Sequence, residues 1–327
     1  MKALVFQEPR HAVVAEREAP AIGPEDVLVR SHAVGICHSD FELYEGRYII
    51  PVSYPIVPGH EWSGEVVEVG GAVQGLTVGD RVVGECVVGP GGRDHFGFSI
   101  DGANAEYFRA RGEWLHRLPA GLSYAAGALV EPFSVAYAAT RALGGVDPSD
   151  SVAVIGAGPI GLLALLVARL KGAGTIIVTD RSAHRLDLAR KLGADVVVDV
   201  AEQDPIAAVQ AATGGRGADA AIEAVGIAPT VQQALAVTRI GGNITWIGNS
   251  APEVSLNMQH VVTREIAIRG VYAFTSAEFD QSIGLLTSGR LNVDPLIERI
   301  APLADGPQLI HDLAKGMLDA VKVVLTP

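Results

Sequence analysis

The stretch SVAVIGAGPIGLLALLVARLKGAG at residues 151–174, followed by TIIVTD at residues 175–180, decides the fold of this chain. A short β-rich run is followed at once by a glycine turn and then by an apolar segment long enough for a helix. A second β-rich run comes after that segment. This order predicts a βαβ unit with parallel strands, which is typical of an α/β sheet.

The turn between the first strand and the helix carries glycines with the spacing G-x-G-x-x-G, at Gly156, Gly158 and Gly161. Glycines allow the tight turn and let the backbone approach a pyrophosphate closely, while the N-terminus of the helix faces the anion. The motif alone is weak evidence. A strand before it, a helix after it and an acid at the right distance together predict a dinucleotide site.

The acid is Asp180, which ends the second strand about 20 residues beyond the glycines. Its carboxylate can accept hydrogen bonds from the ribose hydroxyls and would repel a 2′-phosphate, so it favours NAD over NADP, although the adjacent Arg181 weakens that preference. Asp180 could also cap the helix that follows it. The candidate cofactor-binding residues are Gly156, Gly158, Pro159, Ile160, Gly161, Asp180, Arg181 and Arg185.

The alternation of strands and helices continues to about residue 271 and gives about six strands, the number of a complete dinucleotide-binding sheet. Before residue 151 the chain shows short β-rich stretches at 2–8, 26–34, 64–70 and 81–86, divided by glycine turns. After residue 274 a helix and a closing strand at 321–325 are too short for a domain. We therefore expect an irregular β domain first, a parallel-sheet domain second, and a final segment that returns to the first.

Composition narrows the function classes. The chain has 327 residues, 49% hydrophobic and 19% charged, which indicates a folded globular protein of two domains. A net charge of -12 disfavours nucleic acid and anionic membranes as partners and is compatible with a small neutral substrate. Two cysteines and the lack of a signal-peptide pattern favour the cytosol.

Possible metal ligands lie in the β domain. Cys37, His60, Glu61 and Glu131 offer thiolate, imidazole and carboxylate groups, and zinc accepts all three. One or both glutamates could complete the set. Their spacing matches no compact zinc motif, and each residue alone has an ordinary structural explanation, so the residues by themselves leave the metal undecided.

A resemblance to a known family favours the interpretation of these residues as metal ligands. The ordered segments GICHSD (35–40), PGHEWSGEVVEVG (58–70), VGDRVVGE (78–85), LVEPFSVAYAA (129–139), GAGPIG (156–161), TD (179–180) and KVVLTP (322–327) are similar to the zinc-containing medium-chain dehydrogenase/reductase superfamily, in its alcohol, sorbitol and threonine dehydrogenase branches. The resemblance implies a GroES-like domain over 1–133, a Rossmann domain over 134–275 and a return over 276–327. It also implies a homodimer or homotetramer and an alcohol substrate.

The resemblance also implies roles for single residues. Cys37 and His60 become ligands of one catalytic zinc, Glu61 binds it directly or exchanges with water, and Glu131 stands where alcohol dehydrogenases have a second cysteine. A glutamate there is more like the polyol dehydrogenases. Ser39 matches the hydroxyl that bonds the substrate oxygen, so the candidate catalytic residues are Cys37, Ser39, His60 and Glu61. Asp40 would orient His60.

Two features depart from that family. Most members have four closely spaced cysteines for a structural zinc, whereas this chain has Cys86 alone there, so we expect no structural zinc and interpret Cys86 as a packing residue in an apolar strand. Glu42 replaces the histidine that ends the proton relay in many members. Two alternatives remain: a zinc-free quinone or enone reductase that uses NADPH, and a non-catalytic NAD-binding protein.

Overall fold

The computed structural model describes residues 1–327, which form two compact units. The first unit contains Met1–Glu131 and Phe279–Pro327, and the second contains Pro132–Glu278. None of the helices is both long and apolar enough to cross a membrane.

The first unit is mostly β. Over residues 26–33 its longest strand alternates buried positions with half-buried or exposed ones, and Val27 and Val29 pack with Trp62 and Phe108 in one apolar core. In chain order its elements are β1 (Lys2–Glu8), β2 (His11–Glu16), β3 (Asp26–Gly35), α1 (His38–Glu45), β4 (Glu61–Val69), β5 (Arg81–Gly84), β6 (Val87–Val88), β7 (Asp94–His95), β8 (Tyr107–Arg111), β9 (Leu115–Arg117) and α2 (Tyr124–Gly127). Helix α3 (Val130–Ala142) begins in this unit and continues into the second.

The second unit contains a six-stranded parallel sheet in the order β12-β11-β10-β13-β14-β15. This order is the doubly wound arrangement of dinucleotide-binding domains, and it confirms the predicted α/β fold. Its elements are β10 (Ser151–Ile155), α4 (Pro159–Leu170), β11 (Thr175–Asp180), α5 (Ala183–Lys191), β12 (Val196–Asp199), α6 (Pro205–Ala212), β13 (Ala218–Glu223), α7 (Ala228–Val237), β14 (Thr238–Trp246), α8 (Met258–Thr263) and β15 (Ala267–Gly270).

The last segment supplies α9 (Ser276–Thr287), β16 (Ile297–Pro302), α10 (Gly306–Ala314) and β17 (Lys322–Thr326). The closing strand β17 pairs antiparallel with β3, and β16 pairs with β17 at the edge of a seven-stranded sheet. The sequence predicted only a helix and a closing strand after residue 274, and the residues near 300 form the additional strand β16. Because β17 lies beside β3, the first residue of β17 lies next to the end of β3, where the candidate metal ligands are found.

Candidate functional site

Cys37 is fixed at the start of helix α1, where it occupies the N-cap position. The carboxylate of Asp40, at the third position of the helix, accepts a hydrogen bond of 2.8 Å from the Cys37 backbone N–H. This contact satisfies one of the backbone groups that a helix N-terminus leaves open. The helix therefore holds the Cys37 thiol in place, while the side chain remains partly exposed.

Strand β4 positions His60 and Glu61, because Glu61 is its first residue and His60 directly precedes it. β4 pairs with β3 so that Glu61 lies opposite Gly35. A Cβ atom at Gly35 would lie 2.3 Å from Glu61 Oε2, so only glycine leaves room for this carboxylate over the neighbouring strand. The preceding Gly59 has a φ of +103°, a conformation that favours glycine, and it directs the chain into His60.

Cys37, His60 and Glu61 come together as a possible metal site. One ligand atom from each residue lies within 4.8 Å of the other two. Glu61 Oε1 is buried and has no hydrogen-bond partner, which is unusual for a carboxylate oxygen in a protein interior. Thiolate, imidazole and carboxylate are a donor set that zinc accepts, and the unpartnered oxygen fits a bound cation. The residues therefore fit the metal that the resemblance implied.

The His60 ring is held by contacts on several sides. Its Nδ1 lies 3.6 Å from Asp40 Oδ1, and its Nε2 lies 3.4 Å from Ser39 Oγ. The ring of Phe98 packs against it at 4.7 Å between centroids. Burial by itself would lower the pKa of His60, but the carboxylate of Asp40 and the thiol of Cys37 raise it well above its usual value. Asp40 thus faces the ring as the sequence suggested.

Lys322 is a member of the site that the sequence reasoning missed. Its Nζ donates to Glu61 Oε2 at 2.6 Å and to the carbonyl of Ile36 at 3.1 Å, and its side chain is 1% exposed. Burial would lower the pKa of Lys322, yet the negative groups of Glu61 and Cys37 raise it. A lysine at the head of an otherwise apolar closing strand was the available signal.

Glu131 lies outside the group of Cys37, His60 and Glu61, and Cys86 contacts it. Cys86 Sγ donates to Glu131 Oε1 at 2.9 Å. Cys86 was expected to be a packing residue in an apolar strand; β5 instead ends at Gly84, and Cys86 lies in the bend before β6. Burial is the main reason that the pKa values of both side chains are raised, and the thiol therefore stays protonated. Whether Glu131 ever binds a metal stays a prediction.

The glycine turn forms the second candidate site, in the second unit. Gly156 has a φ of +97°, and a Cβ atom at Gly161 would lie 1.8 Å from the carbonyl oxygen of Gly156. Pro159 opens helix α4, a position where the missing N–H costs nothing, and Ile160 follows it. The turn lies where the order of the sheet reverses between β10 and β13, which is where such sheets bind ligands.

Asp180 ties the end of β11 to this turn. Its Oδ2 accepts from the backbone N–H of Ala157 at 2.7 Å, and its Oδ1 accepts from that of Ser182 at 2.9 Å. Ser182, not Asp180, is the N-cap of helix α5, so the capping interpretation of Asp180 was wrong. A Cβ atom placed on Gly158 would lie 3.9 Å from Arg185 Nη1, which brings this cation to the turn. Arg181 is exposed beside Asp180.

Comparison with known proteins supports the resemblance to the zinc-containing medium-chain dehydrogenases. Residues 23–120 match the alcohol dehydrogenase GroES-like domain, and residues 159–288 match the zinc-binding dehydrogenase domain. The chain is 35% identical to the sorbitol dehydrogenase of Halalkalibacterium halodurans, over 100% of this chain and 99% of that protein. Two units, one with a zinc-type donor set and one with a dinucleotide fold, define a dehydrogenase of the two-domain type.

Solved structures of related dehydrogenases have the same fold as this chain. The 2R,3R-butanediol dehydrogenase of Bacillus subtilis superimposes with a TM-score of 0.91 at 31% identity, over 100% of this chain and 99% of that one. A zinc-binding dehydrogenase structure from Sinorhizobium meliloti 1021, bound to NADP, superimposes with a TM-score of 0.93 at 29% identity, over 100% of this chain and 99% of that one. The chain belongs to the zinc-dependent medium-chain dehydrogenase superfamily.

Proposed function

We propose that this protein is a polyol or secondary-alcohol dehydrogenase that uses NAD and one catalytic zinc ion. The observation that carries the proposal is the group of the partly exposed Cys37 and the buried His60 and Glu61, in which one carboxylate oxygen has no partner. Three protein ligands with differing chemistry are typical of a catalytic zinc site, which keeps a position for substrate or water. A structural site would be closed by four protein ligands.

When bound, zinc acts as a Lewis acid that lowers the pKa of a substrate hydroxyl and so prepares it for oxidation. Cys37 and His60 would hold the ion, with Glu61 as the third ligand. Asp40 keeps the His60 ring oriented from the side opposite to Nε2. Ser39 Oγ, 3.4 Å from His60 Nε2, is placed to accept the hydrogen bond of the substrate hydroxyl and to begin removal of its proton.

NAD would bind at the glycine turn of the second unit. The backbone of Gly156 to Gly161 and the N-terminus of α4 would receive the pyrophosphate, with the Arg185 side chain close to the turn. The Asp180 carboxylate supports NAD over NADP because it repels an additional phosphate. A related structure is bound to NADP, so both cofactors belong in the test.

The substrate class follows from the relatives. Two of the relatives are named for activity on sorbitol and on 2R,3R-butanediol, both of which carry neighbouring hydroxyl groups. Glu131 supports the same class, since the resemblance places a glutamate there in polyol dehydrogenases. A vicinal diol or polyol is therefore the first candidate, and a simple secondary alcohol is the second.

The test measures reduction of NAD and of NADP across alcohols, diols, sugars and threonine, with zinc content determined on the same sample. We expect about one zinc ion per chain, activity that chelation removes, and the highest kcat/KM on a diol or polyol with NAD. An active protein without zinc that reduces enones with NADPH would establish the reductase alternative. Cofactor binding without turnover on any substrate would establish a non-catalytic protein.

A further inference from the structure

The contact between Cys86 and Glu131 joins two distant parts of the first unit. Cys86 lies in the bend between β5 and β6, and Glu131 is the second residue of α3. The distance from Sγ to Oε1 is 2.9 Å, and the two residues are 8% and 6% exposed. A buried carboxylate needs donors, and the thiol supplies one to this oxygen.

Glu131 lies within electrostatic reach of the metal group without joining it. His60, Glu61 and Lys322 all act on its carboxyl group, and Cys37 acts on Cys86 in the same way. The three residues whose ligand atoms converge are nevertheless Cys37, His60 and Glu61. A carboxylate this close would compete for a bound cation if its oxygens were free to turn toward it.

Charge and coordination number both make that competition unfavourable for catalysis. Cys37 and Glu61 already supply two negative groups, and Lys322 neutralises one of them. A further carboxylate on the ion would make four protein ligands, which is the closed arrangement of structural zinc sites and leaves no position for substrate. The chain therefore needs a device that keeps Glu131 aside.

We propose that Cys86 is this device: a positioning residue whose thiol holds the Glu131 carboxylate outside the metal group and so keeps a position open for substrate. The proposal rests on the zinc-dependent function proposed above. It predicts that loss of the thiol donor frees Glu131 to bind the ion, which strengthens zinc binding and weakens substrate binding.

The experiment compares Cys86→Ala, which removes the donor, with Cys86→Ser, which keeps one. Zinc affinity is measured by competition with a chelator on the full chain. We expect Cys86→Ala to bind zinc about tenfold more tightly, a typical size for changes around metal ligands, with KM raised more than kcat is lowered. Cys86→Ser should keep the parent affinity. Equal affinities of the parent and Cys86→Ala would overturn the proposal.

A second background separates this role from simple packing. In Glu131→Gln, adding Cys86→Ala should change zinc affinity no further, because the carboxylate that the thiol restrains is gone. A persistent effect of Cys86→Ala in that background would show that the thiol acts through packing and would overturn the positioning role. Thermal unfolding of each metal-free variant confirms that it is folded.

An infrared measurement on metal-free protein reports the bond itself. The S–H stretch of Cys86, identified by its loss in Cys86→Ala, should lie at lower frequency than a free thiol and should rise in Glu131→Gln, because a neutral amide is the weaker acceptor. An unmoved band overturns the proposal. A parent that binds no zinc overturns the proposed function and this role together, whereas a zinc-bound, active parent with an unaltered Cys86→Ala overturns this role alone.

Discussion

Lys322 and Glu61 form an ion pair in which both side chains are almost completely shielded from solvent. Removing two charges from water is costly, and their attraction offsets that cost only with good geometry and further hydrogen bonds. Lys322 meets this condition by also donating to the carbonyl of Ile36. The pair therefore fixes one oxygen of Glu61 and leaves Oε1, which has no partner, on the side available to a cation.

Breaking this pair should destabilise the metal-free protein. Lys322→Met leaves the Glu61 carboxylate buried without its partner, and we expect a loss of about 3–5 kcal/mol in the free energy of unfolding, measured by urea titration. Lys322→Met combined with Glu61→Gln should recover a large part of that loss because no charge is then left unpaired. A loss of only about 0.5 kcal/mol, as for surface substitutions, would contradict the assignment.

Cys37 gives a second residue-level prediction. Cys37→Ser replaces the thiolate by a weaker zinc ligand, and we expect loss of zinc and at least about a hundredfold loss of kcat/KM. NAD affinity should be unchanged, since the dinucleotide residues belong to a different unit of the chain. Zinc analysis and a fluorescence titration with NAD check both halves. A metal-free variant with full activity would refute the zinc mechanism.

The site residues differ in how far the sequence could reveal them. Cys37 and His60 needed the resemblance, because isolated residues separated by more than twenty positions match no local pattern. Lys322 gave one local signal, a lysine that begins an apolar strand, but its role arises only when β17 pairs with β3. Phe98 could not be found, since its importance arises when it packs against the His60 ring. The burial of Cys86 agrees with its interpretation as a packing residue, but an apolar neighbourhood does not show that its thiol faces Glu131.

Among the elements, the junction of β11 with the glycine turn is where the proposed function places the choice between NAD and NADP. The Asp180 carboxylate ends β11 and accepts backbone hydrogen bonds on both sides, so its charge is held where an adenosine ribose would lie. Arg181 and Arg185 are nearby on the following segment. On the proposed function, cofactor choice is a balance between the carboxylate of Asp180 and the two neighbouring arginines.

Asp180→Asn should shift this balance toward NADP. The amide removes the negative charge and nearly keeps the shape, but its NH2 group cannot accept one of the two backbone hydrogen bonds. That loss affects both cofactors alike, so we expect the ratio of kcat/KM for NAD to that for NADP to fall by about tenfold or more. Asp187→Asn is the matched control, because Asp187 is an exposed acid on α5 that pairs with Arg190. Equal use of both cofactors by the parent would already contradict the role given to Asp180.

Strand β9 is linked to helix α9 through His116. Its Nδ1 lies 2.7 Å from Asp280 Oδ1, and its Nε2 lies 2.9 Å from Glu85 Oε1. Burial would lower the pKa of His116, but the hydrogen bonds to Glu85 and Asp280 raise it above its usual value. The folded protein therefore stabilises the protonated, imidazolium form of His116.

The consequence is a stability that depends on pH. The contribution is fully present below the unfolded pKa of about 6.5 and is lost as pH rises through the raised pKa of the folded state. We expect the free energy of unfolding to fall by about 1–2 kcal/mol more in the parent than in His116→Gln between slightly acidic and alkaline pH. Urea titrations of both proteins across this pH range measure the effect. A difference in free energy of unfolding between the parent and His116→Gln that does not change with pH would contradict it.

The elements of the second unit could be predicted well because each is specified locally. Strand SVAVI, the glycine turn and TIIVTD are consecutive in the chain, and the parallel sheet follows from their order. In the first unit the strands are short and pair across long intervals, as β3 does with β8 and β17. β16 was missed because four of its six residues, Glu298–Ile300 and Pro302, are exposed, so its apolar signal is weak.

For the whole molecule, the free edge of the parallel sheet raises the question of assembly. β15 is the last strand of that sheet and pairs only with β14. Near it in the chain, Met258, Val262 and Tyr272 are each more than half exposed. An exposed strand edge beside apolar side chains is a surface that proteins ordinarily cover. We propose that a second copy of the chain covers it, as the expected homodimer or homotetramer requires.

Val262→Asp should separate the copies. A carboxylate at this position would be buried without a partner in the assembled form, at a cost of about 3 kcal/mol or more, so the dissociation constant should rise at least about a hundredfold. Val78→Asp is the matched control, since Val78 is a comparably exposed valine of the first unit, far from β15 in the sequence. Sedimentation equilibrium on the three proteins tests this proposal: the parent and Val78→Asp should remain associated, whereas Val262→Asp should dissociate. A Val262→Asp protein that stays associated would show that the contact lies elsewhere. A monomeric parent would show that the contact does not form.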